Sequence, residues 1–507
     1  MTDFDAFTKT YQARRPQLLT TRLVADLETP VSAYLKLGAN PDGSARQNSF
    51  LLESVQGGEA KGRYSIIGLK PDLIWRCRGN VAEINRGALN GDSFVAETAK
   101  PLDSLRVLVR ETRMDVPHGI PPMAAGLFGY LGYDMARQVE NLPNPPPDTL
   151  GLPDAILLRP TIVAIFDTVK DEIIVATPVW PDAKVDTKAA YARAQARLDE
   201  TVAELERPAP AAPPVPADLP TNVAVESNMT KAEFFDVVAR AKEYIASGDV
   251  FQVVPSQRFR RPFTLPPFSL YRALRRLNPS PFLYFLSMPG FQIAGSSPEV
   301  LVRLQGGKVT IRPIAGTRPR GKTPEEDKAL AAELLADPKE RAEHLMLIDL
   351  GRNDVGRVAK TGAVKVTGSF FVERYSHVMH IVSNVEGEIR DGLDAMDALA
   401  AGLPAGTLTG APKIRAMEII DTFEKEKRGA AYAGAIGYFA ADGSMDTCIV
   451  LRTALLKDGM MYAQAGAGIV ADSVPESEYQ ETVNKARALF AAAEEAVRFA
   501  SAAKKGQ

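Results

Sequence analysis

Cysteine is almost absent from this chain. The 507 residues include two cysteines, Cys77 and Cys448. Two cysteines can form neither a disulfide framework nor a cysteine-based zinc site, which is typical of proteins from a reducing compartment. Neither of them has the sequence context of a nucleophile, so an internal glutaminase that uses a cysteine is not expected. We therefore expect a cytoplasmic protein.

Long apolar runs and an excess of charge of one sign are also missing. The N-terminal residues, MTDFDAFTKTYQARRP, have no apolar signal core, and no apolar run is long enough to span a bilayer. The 60 lysines and arginines nearly balance 62 acidic residues. Neither a nucleic-acid surface nor a polybasic membrane anchor is therefore predicted. The phosphate-binding loop and the dinucleotide fingerprint are absent too.

A stretch rich in proline and alanine divides the chain. Residues 207–222 begin RPAPAAPPVPADLP, a composition typical of a linker. Because 45% of the residues are hydrophobic, the chain can build a large core, as two domains or as one composite. We predict an N-terminal domain over residues 1–206 and a C-terminal domain over residues 223–507.

Short alternating runs bounded by proline and glycine predict antiparallel strands on both sides of the linker. The clearest is a meander of three strands, Ala431–Ala440, Thr447–Leu455 and Met461–Ala465, joined by Asp-Gly turns. A long helix is expected over Pro475–Ala500. These patterns predict the α+β class, with mixed antiparallel sheets and packed helices.

The segment Ile311–Gly321, IRPIAGTRPRG, places three arginines around two prolines and a Gly-Thr pair. Proline fixes φ and glycine relaxes it, so we expect a shaped loop and not a helix. Gly316 and Thr317 can offer backbone N–H groups and a hydroxyl to an anion, within the positive field of the arginines. Taken alone, however, the segment is more simply interpreted as a basic surface turn after a strand.

Two helices each carry the pattern Glu-x-x-Glu. The pairs are Glu340 with Glu343 and Glu478 with Glu481. This spacing puts both carboxylates of a pair on one helix face, where like charges repel unless a cation intervenes. A solvated acidic face explains one such pair, but two pairs suggest a hard cation, and carboxylate ligands favour Mg²⁺.

Several other residues suit an anionic ligand or a proton transfer. Thr409 precedes a helix start with free N–H groups, and Gly466–Gly468 permits close approach of the backbone. Arg452 is expected inside a strand, where a buried guanidinium needs an anionic partner. His377 and His380 fall on opposite faces of one strand, and one of them could act as a general base, although a core histidine is the simpler interpretation. The pattern suits a small polyanionic substrate held partly through Mg²⁺.

A series of long motifs then identifies a family. Between Leu51 and Lys485 the chain contains, in order, LLES, GRYS, FQVVPSQRF, NPSPFLYF, GSSPE, PIAGTRPRG, AEHLMLIDLGRND, HVMH, PAGTLTGAPKIRAMEII, GAIGY, QAGAGIV and ETVNKAR. With them the chain closely resembles the chorismate-utilising enzymes, and among these the large subunits, or component I, of anthranilate synthases. The resemblance implies that family's fold, antiparallel sheets packed as a sandwich with helices outside, and a chorismate-binding C-terminal domain.

The resemblance implies an Mg²⁺-dependent lyase that performs the first step of tryptophan biosynthesis. Ammonia would attack ring C2 of chorismate as the C4 hydroxyl leaves, giving aminodeoxyisochorismate, from which pyruvate is eliminated to leave anthranilate. Glu343 and Glu481 would hold Mg²⁺ against the ring carboxylate, with Glu340 and Glu478 in support.

The same resemblance assigns roles to further residues. Glu299 would protonate the departing hydroxyl, which requires a raised pKa, and His380 would take the C2 proton. The implied substrate contacts are Gly316, Thr317, Thr409, Tyr432, Arg452, Gly466, Ala467, Gly468 and Lys485.

Two positions separate the chain from its relatives in this family. Relatives that aminate C4 typically carry a nucleophilic lysine where this chain has Ala315, and relatives that add water carry a lysine base where it has Gln252. Alanine and glutamine leave external ammonia as the nucleophile, and Gln252 joins the predicted catalytic set. They disfavour an aminodeoxychorismate synthase and an isochorismate or salicylate synthase. Retained Glu299 and His380 disfavour a catalytically inactive tryptophan-binding protein.

An inhibitory tryptophan site distinct from the chorismate site is also implied. Its residues would be Glu53, Ser54, Arg63, Pro281, Phe282, Leu283, Ile436 and Tyr438. Since they lie on both sides of the linker, the two domains are expected to interleave. The chain leaves no room for a fused glutaminase, so ammonia is expected from a separate glutamine amidotransferase subunit, component II, in a heterotetramer of two large and two small subunits.

Overall fold

The structure is a computed structural model that describes residues 3–40, 42–56, 60–210, 223–375, 378–429 and 431–503. The predicted linker therefore lies mostly outside the described residues, as does His377. The helices are α1 (Phe4–Gln12), α2 (Pro30–Leu37), α3 (Pro101–Glu111), α4 (Thr187–Glu206), α5 (Lys231–Ala246), α6 (Pro267–Leu277), α7 (Pro324–Ala336), α8 (Pro338–Gly356), α9 (Ala395–Gly402), α10 (Lys413–Phe423) and α11 (Pro475–Ala503). Short 3₁₀ helices span Pro122–Ala124, Tyr133–Gln138 and Gly406–Leu408.

The strands are β1 (Gln17–Val24), β2 (Ser49–Gln56), β3 (Ala60–Arg78), β4 (Val81–Asn85), β5 (Val95–Ala96), β6 (Gly126–Leu131), β7 (Ala155–Asp167), β8 (Glu172–Val179), β9 (Glu226–Ser227), β10 (Gln252–Val253), β11 (Ser256–Pro262), β12 (Phe282–Met288), β13 (Phe291–Ser297), β14 (Val300–Gln305), β15 (Lys308–Ile311), β16 (Ile314–Pro319), β17 (Lys365–Arg374), β18 (Val378–Glu388), β19 (Gly410–Ala411), β20 (Ala435–Ala440), β21 (Met445–Ile449), β22 (Thr453–Lys457) and β23 (Met460–Gly466). The two longest strands, β3 and β7, lie in the N-terminal half.

Antiparallel pairing links these strands into one network of two layers, with β10 and β19 as a separate pair. The first layer runs β1, β8, β7, β3, β2, β12, β13, β22, β23, β11 and β9. The second layer runs β4, β3, β7, β6, β20, β21, β14, β15 and β18, and β18 also pairs with β16 and β17. The long strands β3 and β7 belong to both layers, since a bulge between Pro71 and Leu73 interrupts their register.

Three large apolar clusters show how the layers pack. One cluster takes residues from the facing sides of both layers, including Phe50, Phe128 and Ile436, and we call it the interlayer core. A second joins the outer face of the first layer to α1, α2, α4, α6 and α11. A third joins the second layer to α3, α8 and α9. The predicted sandwich of antiparallel sheets with helices outside is confirmed.

Two strand connections pass together from one layer to the other. Strand β13 of the first layer continues through Pro298 and Glu299 into β14 of the second, and β21 of the second continues through residues 450–452 into β22 of the first. The Ile449 N–H donates to the Glu299 carbonyl at 3.0 Å, and the Ser296 N–H donates to the Arg452 carbonyl at 3.2 Å. This crossing places Glu299 and Arg452 side by side.

The crossing corrects the expected single strand Thr447–Leu455. Alternation continues through that stretch, but the backbone breaks where Arg452 adopts a left-handed φ of 48°. Its two halves pair with different partners, β14 and β20 before the break and β13 and β23 after it. Arg452 therefore lies in the break and not inside a strand.

Residues 311–321 also differ from the prediction. They form the end of β15 and all of β16, so the segment is mainly a strand with a bulge and not a loop. The expected C-terminal helix is confirmed as α11, which begins at Pro475.

Strands from both sides of the linker share the layers. Strand β2 pairs with β12 from Ser49 to Ser54, and β6 pairs with β20. The predicted domain boundary at residue 206 stays a prediction, but the two halves interleave as expected.

Within the described residues, the helices are too short or too polar to cross a membrane.

Candidate functional site

A cavity of about 250 Å³ lies where the two layers cross. We call it the central cavity. It is lined by Gln252, Glu299, Ala315, Gly316, Thr317, Glu343, His380, Tyr432, Arg452, Gly466, Gly468, Glu481 and Lys485, with Val254, Thr407, Leu408 and Gln464 among the rest. The walls come from β10, β16, β18, α8, β23, α11 and the crossing. Most residues that the sequence assigns to the substrate thus share one space.

A bulge in β16 aims a backbone carbonyl at His380. The register between β16 and β18 shifts between Ala315 and Thr317, and Gly316 adopts a left-handed φ of 68°, which glycine tolerates without strain. The Gly316 carbonyl lies 2.9 Å from His380 Nδ1. Because a carbonyl can only accept, Nδ1 carries the proton and Nε2 keeps its lone pair. Burial lowers the pKa of His380 to about 4, so the ring is neutral at pH 7.

Glu299 is held away from water at the crossing. Its side chain is buried, and burial raises the pKa of Glu299 to about 8, against the weaker opposing effects of a bond from Thr407 and the charges of Arg452 and Lys485. The Thr407 hydroxyl donates to Glu299 Oε1 at 3.4 Å. At neutral pH this carboxyl is mainly protonated and can act as a proton donor.

Arg452 supplies a partly buried positive charge. Burial lowers the pKa of its guanidinium, and Glu299 and Tyr375 oppose that shift only through their charges. Among the described residues, no carboxylate lies within 4 Å of this guanidinium. Since a buried cation without a partner is costly, its position suits an anionic group of a ligand.

The four glutamates converge from α8 and α11. Glu343 and Glu481 line the central cavity, whereas Glu340 and Glu478 are not among its lining residues. Burial, together with the charges of Glu340 and Glu481, raises the pKa of Glu343. Lys485 Nζ lies 2.6 Å from Glu481 Oε1, and Arg318 bonds Glu340 at 3.1 Å. The carboxylates therefore repel one another across a common space.

These carboxylates fit Mg²⁺ only with help from a ligand. In the part of the chain that the structure describes, no group of three or more acidic, histidine or cysteine side chains could enclose a metal ion. Mg²⁺ in proteins is commonly held by one or two carboxylates, with waters and substrate oxygens completing its shell. Glu343 and Glu481 match that arrangement.

The arginines of the segment Ile311–Gly321 form structural ion pairs. Arg312 pairs with Glu373 and bonds Asn384. Arg318 bonds Glu333, Asp337 and Glu340 at 2.8 to 3.1 Å, and Arg320 bonds Asp327 at 2.7 Å. The predicted positive field is therefore largely neutralised by α7, α8 and β17. Gly316 and Thr317, by contrast, do line the central cavity.

The positions that separate relatives within the family both line the central cavity. Ala315 points into it from β16, and Gln252 lies across it on β10. A Cβ on Gly468 would lie 2.5 Å from Gln252 Nε2, so the glycine makes room for that side chain. Tyr432 and Lys485 line the wall as predicted, and Lys485 Nζ donates to the Gly466 carbonyl at 2.9 Å.

Two predicted substrate residues lie behind the wall. Thr409 is fully buried, and its hydroxyl donates to the Ala405 carbonyl at 3.0 Å. Ala467 is buried in the apolar cluster around α5 and α10. The neighbouring Thr407 faces the central cavity instead.

The residues of the predicted tryptophan-binding site lie on two different faces of the β2–β12 strand pair. Ser54 is opposite Phe282 in the β2–β12 register, and Phe282 packs on the interlayer core with Ile436 and Tyr438. Leu283 points to the other face of the first layer.

Polar residues of the same predicted site have protein partners. Glu53 pairs with Arg275 at 2.8 Å, and Arg63 pairs with Asp167 at 3.0 Å. Pro281 precedes β12. The tryptophan role of this set stays a prediction.

Two residues of the site were not predicted from the sequence. Gln464 lines the central cavity from β23, and Arg428 supports its wall from behind. A polar residue in the otherwise apolar run of β23 was a usable signal for Gln464. Arg428 belongs to a charged stretch, EKEKRG, whose composition is typical of a solvated turn.

Comparison with known proteins finds a matching family and several similar proteins. Residues 50–491 match the profile of the chorismate binding enzymes. Anthranilate synthase component 1 of Cereibacter sphaeroides is 57% identical, and the match covers all of both chains. The corresponding protein of Pseudomonas aeruginosa is 50% identical over 94% of each chain.

Solved structures agree with the sequence comparison. Anthranilate synthase component I of Streptococcus pneumoniae superimposes with a TM-score of 0.73 at 38% identity, covering 92% of this chain and 99% of that one. The menaquinone-specific isochorismate synthase of Escherichia coli gives a TM-score of 0.70 at 18% identity, over 95% of each chain. The latter likeness concerns the fold alone.

Proposed function

The chain belongs to the chorismate binding enzyme family, with the anthranilate synthase component 1 proteins, and we propose that it converts chorismate and ammonia to anthranilate, pyruvate and water. One observation carries this proposal. The central cavity combines a protonated Glu299, a neutral His380 and a partly buried Arg452, which has no carboxylate partner among the described residues, with the carboxylates of Glu343 and Glu481. A dicarboxylate substrate that must lose a hydroxyl and then a ring proton needs such a combination.

Glu299 is the proton donor of the first step. Ammonia forms a bond to ring C2, the ring double bonds shift, and the C4–O bond breaks. Glu299 gives its proton to the departing hydroxyl, which leaves as water, and the resulting carboxylate is stabilised by the nearby charges of Arg452 and Lys485. The ammonium group that forms on C2 then loses a proton, which restores the balance of charge.

His380 is the base of the second step. Its Nε2 lone pair takes the proton from C2 while the C3–O bond breaks, so that pyruvate leaves as its enolate and the ring becomes aromatic. The enolate then takes up a proton to become pyruvate, and His380 releases the proton that it took. The Gly316 carbonyl holds Nδ1–H and so fixes the tautomer that this step needs. Ala315 and Gln252 offer no competing amine.

Glu343 and Glu481 would hold Mg²⁺ with the ring carboxylate of the substrate. The bound ion would neutralise that carboxylate and help to orient the ring. Removal of this cation would leave the substrate carboxylate facing two protein carboxylates, which would oppose binding.

A separate subunit supplies ammonia in this proposal. The name component 1 borne by the relatives supports a multi-subunit enzyme. A glutamine amidotransferase in a two-plus-two assembly, inhibition by tryptophan and a cytoplasmic location are further parts of the proposal that derive from the resemblance.

The fluorescence of anthranilate tests the proposed function directly. Purified chain with chorismate, Mg²⁺ and an ammonium salt at pH 8 should produce it, and an equal amount of pyruvate should be measured with lactate dehydrogenase. Glutamine in place of ammonium should give no product unless an amidotransferase subunit is added. A folded protein that binds chorismate but releases no pyruvate would contradict the proposal.

A further inference from the structure

Arg428 is the most completely buried arginine near the central cavity that the proposed chemistry does not use. Its side chain is 1% exposed, and that of its partner Glu424 is 3% exposed. The guanidinium bonds both oxygens of Glu424 at 2.8 to 3.1 Å. The pair lies just after α10, behind the wall of the central cavity.

The same guanidinium holds the backbone of two walls. Nη1 donates to the Leu408 carbonyl at 2.7 Å, and Nη2 donates to the Val254 carbonyl at 2.7 Å. Both residues line the central cavity. Val254 follows the strand that carries Gln252, and Leu408 follows Thr407, which bonds Glu299. One side chain thus joins two segments that are 154 residues apart in the sequence.

Two tyrosine rings enclose this guanidinium. The ring of Tyr133 lies 4.4 Å from the Arg428 guanidinium carbon, and the ring of Tyr432 lies 5.5 Å from it. Tyr432 lines the central cavity, whereas Tyr133 belongs to the N-terminal half and follows β6. A cation between two aromatic faces in a dry site is a favourable contact that also fixes its orientation.

Glu424 extends the network to a further wall residue. It accepts bonds from the Ser256 N–H and hydroxyl at 2.9 and 2.7 Å. The Ser256 hydroxyl in turn accepts a bond from Gln464 Nε2 at 2.8 Å. Gln464 lines the central cavity, so Arg428 and Glu424 reach four of its lining residues, namely Val254, Leu408, Tyr432 and Gln464.

A buried ion pair of this kind contributes little net stability. The cost of removing two charges from water often exceeds their attraction, and apolar replacements are frequently as stable. What the pair gives is geometry, because a planar guanidinium with five N–H groups fixes the directions of several acceptors at once.

We infer that Arg428 is a positioning residue, which sets the separation of the Gln252 and Thr407 walls around the chorismate ring and acts through Val254, Leu408 and Tyr432. The assay rests on the proposed function. Lysine at this position keeps the charge near Glu424 but cannot reach two carbonyls in the geometry of the guanidinium. A misplacement of catalytic walls by about 1 Å lowers turnover by roughly 100-fold.

Arg428→Lys is the first test, with kcat and KM for chorismate measured in saturating ammonium. We expect kcat/KM to fall about tenfold to 100-fold while the thermal midpoint stays well above the assay temperature. The alkaline limit of the kcat profile should also rise, because a displaced Thr407 no longer donates to Glu299. The inference would be overturned if kcat/KM and the alkaline limit of the kcat profile both kept their wild-type values. A loss of activity that only follows the fraction of unfolded protein would overturn it as well.

Tyr133 provides a matched pair of variants outside the central cavity. Its hydroxyl is buried without a hydrogen-bond partner among the described residues, so Tyr133→Phe removes no bond and should behave as wild type. Tyr133→Leu removes the aromatic face above Arg428 and should lower kcat/KM in the same direction as Arg428→Lys, by about three- to tenfold. Equal activity of the two Tyr133 variants would show that the ring of Tyr133 does not help to orient Arg428.

Calorimetric titration with chorismate separates failure of the inference from failure of the proposed function. A wild-type chain that binds chorismate without forming anthranilate would sink the proposed function. Arg428→Lys should still weaken the binding at least threefold in that case, and unchanged affinity would count against the positioning role.

Discussion

The central cavity and the predicted tryptophan pocket differ in how their charged side chains are partnered. In the central cavity, Arg452 is partly buried with no carboxylate within 4 Å among the described residues, and Glu343 faces the like charges of Glu340 and Glu481. In the predicted tryptophan pocket, Glu53 pairs with Arg275 and Arg63 pairs with Asp167. The first region also contains the ion pair of Lys485 with Glu481, but it keeps Arg452 and Glu343 available for a ligand. The second region has paired its charges within the protein.

The difference bears on what each region can bind in this conformation. Buried charges without partners destabilise a protein, so they are retained where a ligand neutralises them. Paired charges do not indicate a ligand site, because ion pairs also stabilise the edge of an ordinary sheet. An amino acid that enters the predicted tryptophan pocket must bond the backbone or replace a pair such as Glu53 with Arg275. Variants in each region can test this contrast.

Glu299→Gln should have the largest effect on the rate. Glutamine keeps the shape of the carboxylic acid but cannot transfer a proton to the leaving hydroxyl. General acid catalysis contributes about 100-fold to 10,000-fold, so kcat should fall within that range. Anthranilate fluorescence gives the rate, and calorimetry with chorismate should show nearly unchanged binding as the control. A rate within tenfold of wild type would remove Glu299 from the mechanism.

Glu343→Gln and Glu481→Gln should each lower turnover by roughly 100-fold at low Mg²⁺, since each removes a carboxylate of the predicted ion site. Excess Mg²⁺ should restore part of the activity. Calorimetric titration of Mg²⁺ in the presence of chorismate should show weaker binding in both variants. Glu476→Gln is the matched control on the same helix, because Glu476 is exposed and pairs with Lys231. Equal Mg²⁺ affinity in Glu481→Gln and Glu476→Gln would contradict the ligand assignment.

The local patterns of the sequence were sufficient for elements that obey one periodicity. The C-terminal helix α11 and the outer strands of the meander were predicted because alternation, helical periodicity and turn residues agree there. The prediction of the middle strand was wrong at Arg452, where alternation continues but the partner strands change. Such a break depends on tertiary pairing, which has no signal in the local sequence.

The site was predicted through motifs more than through physical chemistry. The paired glutamates indicated a cation site by their spacing alone, whereas the roles of Glu299 and His380 came from the resemblance. Arg312, Arg318 and Arg320 were misleading, since their carboxylate partners come from helices and a strand that fold back upon them. Arg428 was missed for the opposite reason, because its acceptors lie on three separate segments.

The pH dependence should follow from the two titrating groups of the central cavity. Glu299 is active as an acid, so kcat should decline above pH 8, by about tenfold per pH unit, as it ionises. His380 is active as a base, so its protonation should limit the rate only toward pH 4. Rates measured between pH 5 and pH 9.5 should therefore decline on the alkaline side only. A decline centred near pH 6.5 would show that His380 is not buried in the neutral form.

Ser54→Phe should affect the second region while leaving the rate without tryptophan nearly unchanged. The Ser54 hydroxyl donates to the Tyr64 carbonyl at 3.0 Å, and the position lies beside Phe282 at the edge of the interlayer core. A phenylalanine ring there would occupy the space assigned to tryptophan and raise its inhibitory concentration at least tenfold. Ser54→Ala is the control, because it removes the hydroxyl without adding bulk and should stay sensitive. The measurement is the rate with ammonium over a series of tryptophan concentrations, and unchanged inhibition of Ser54→Phe would place the inhibitor elsewhere.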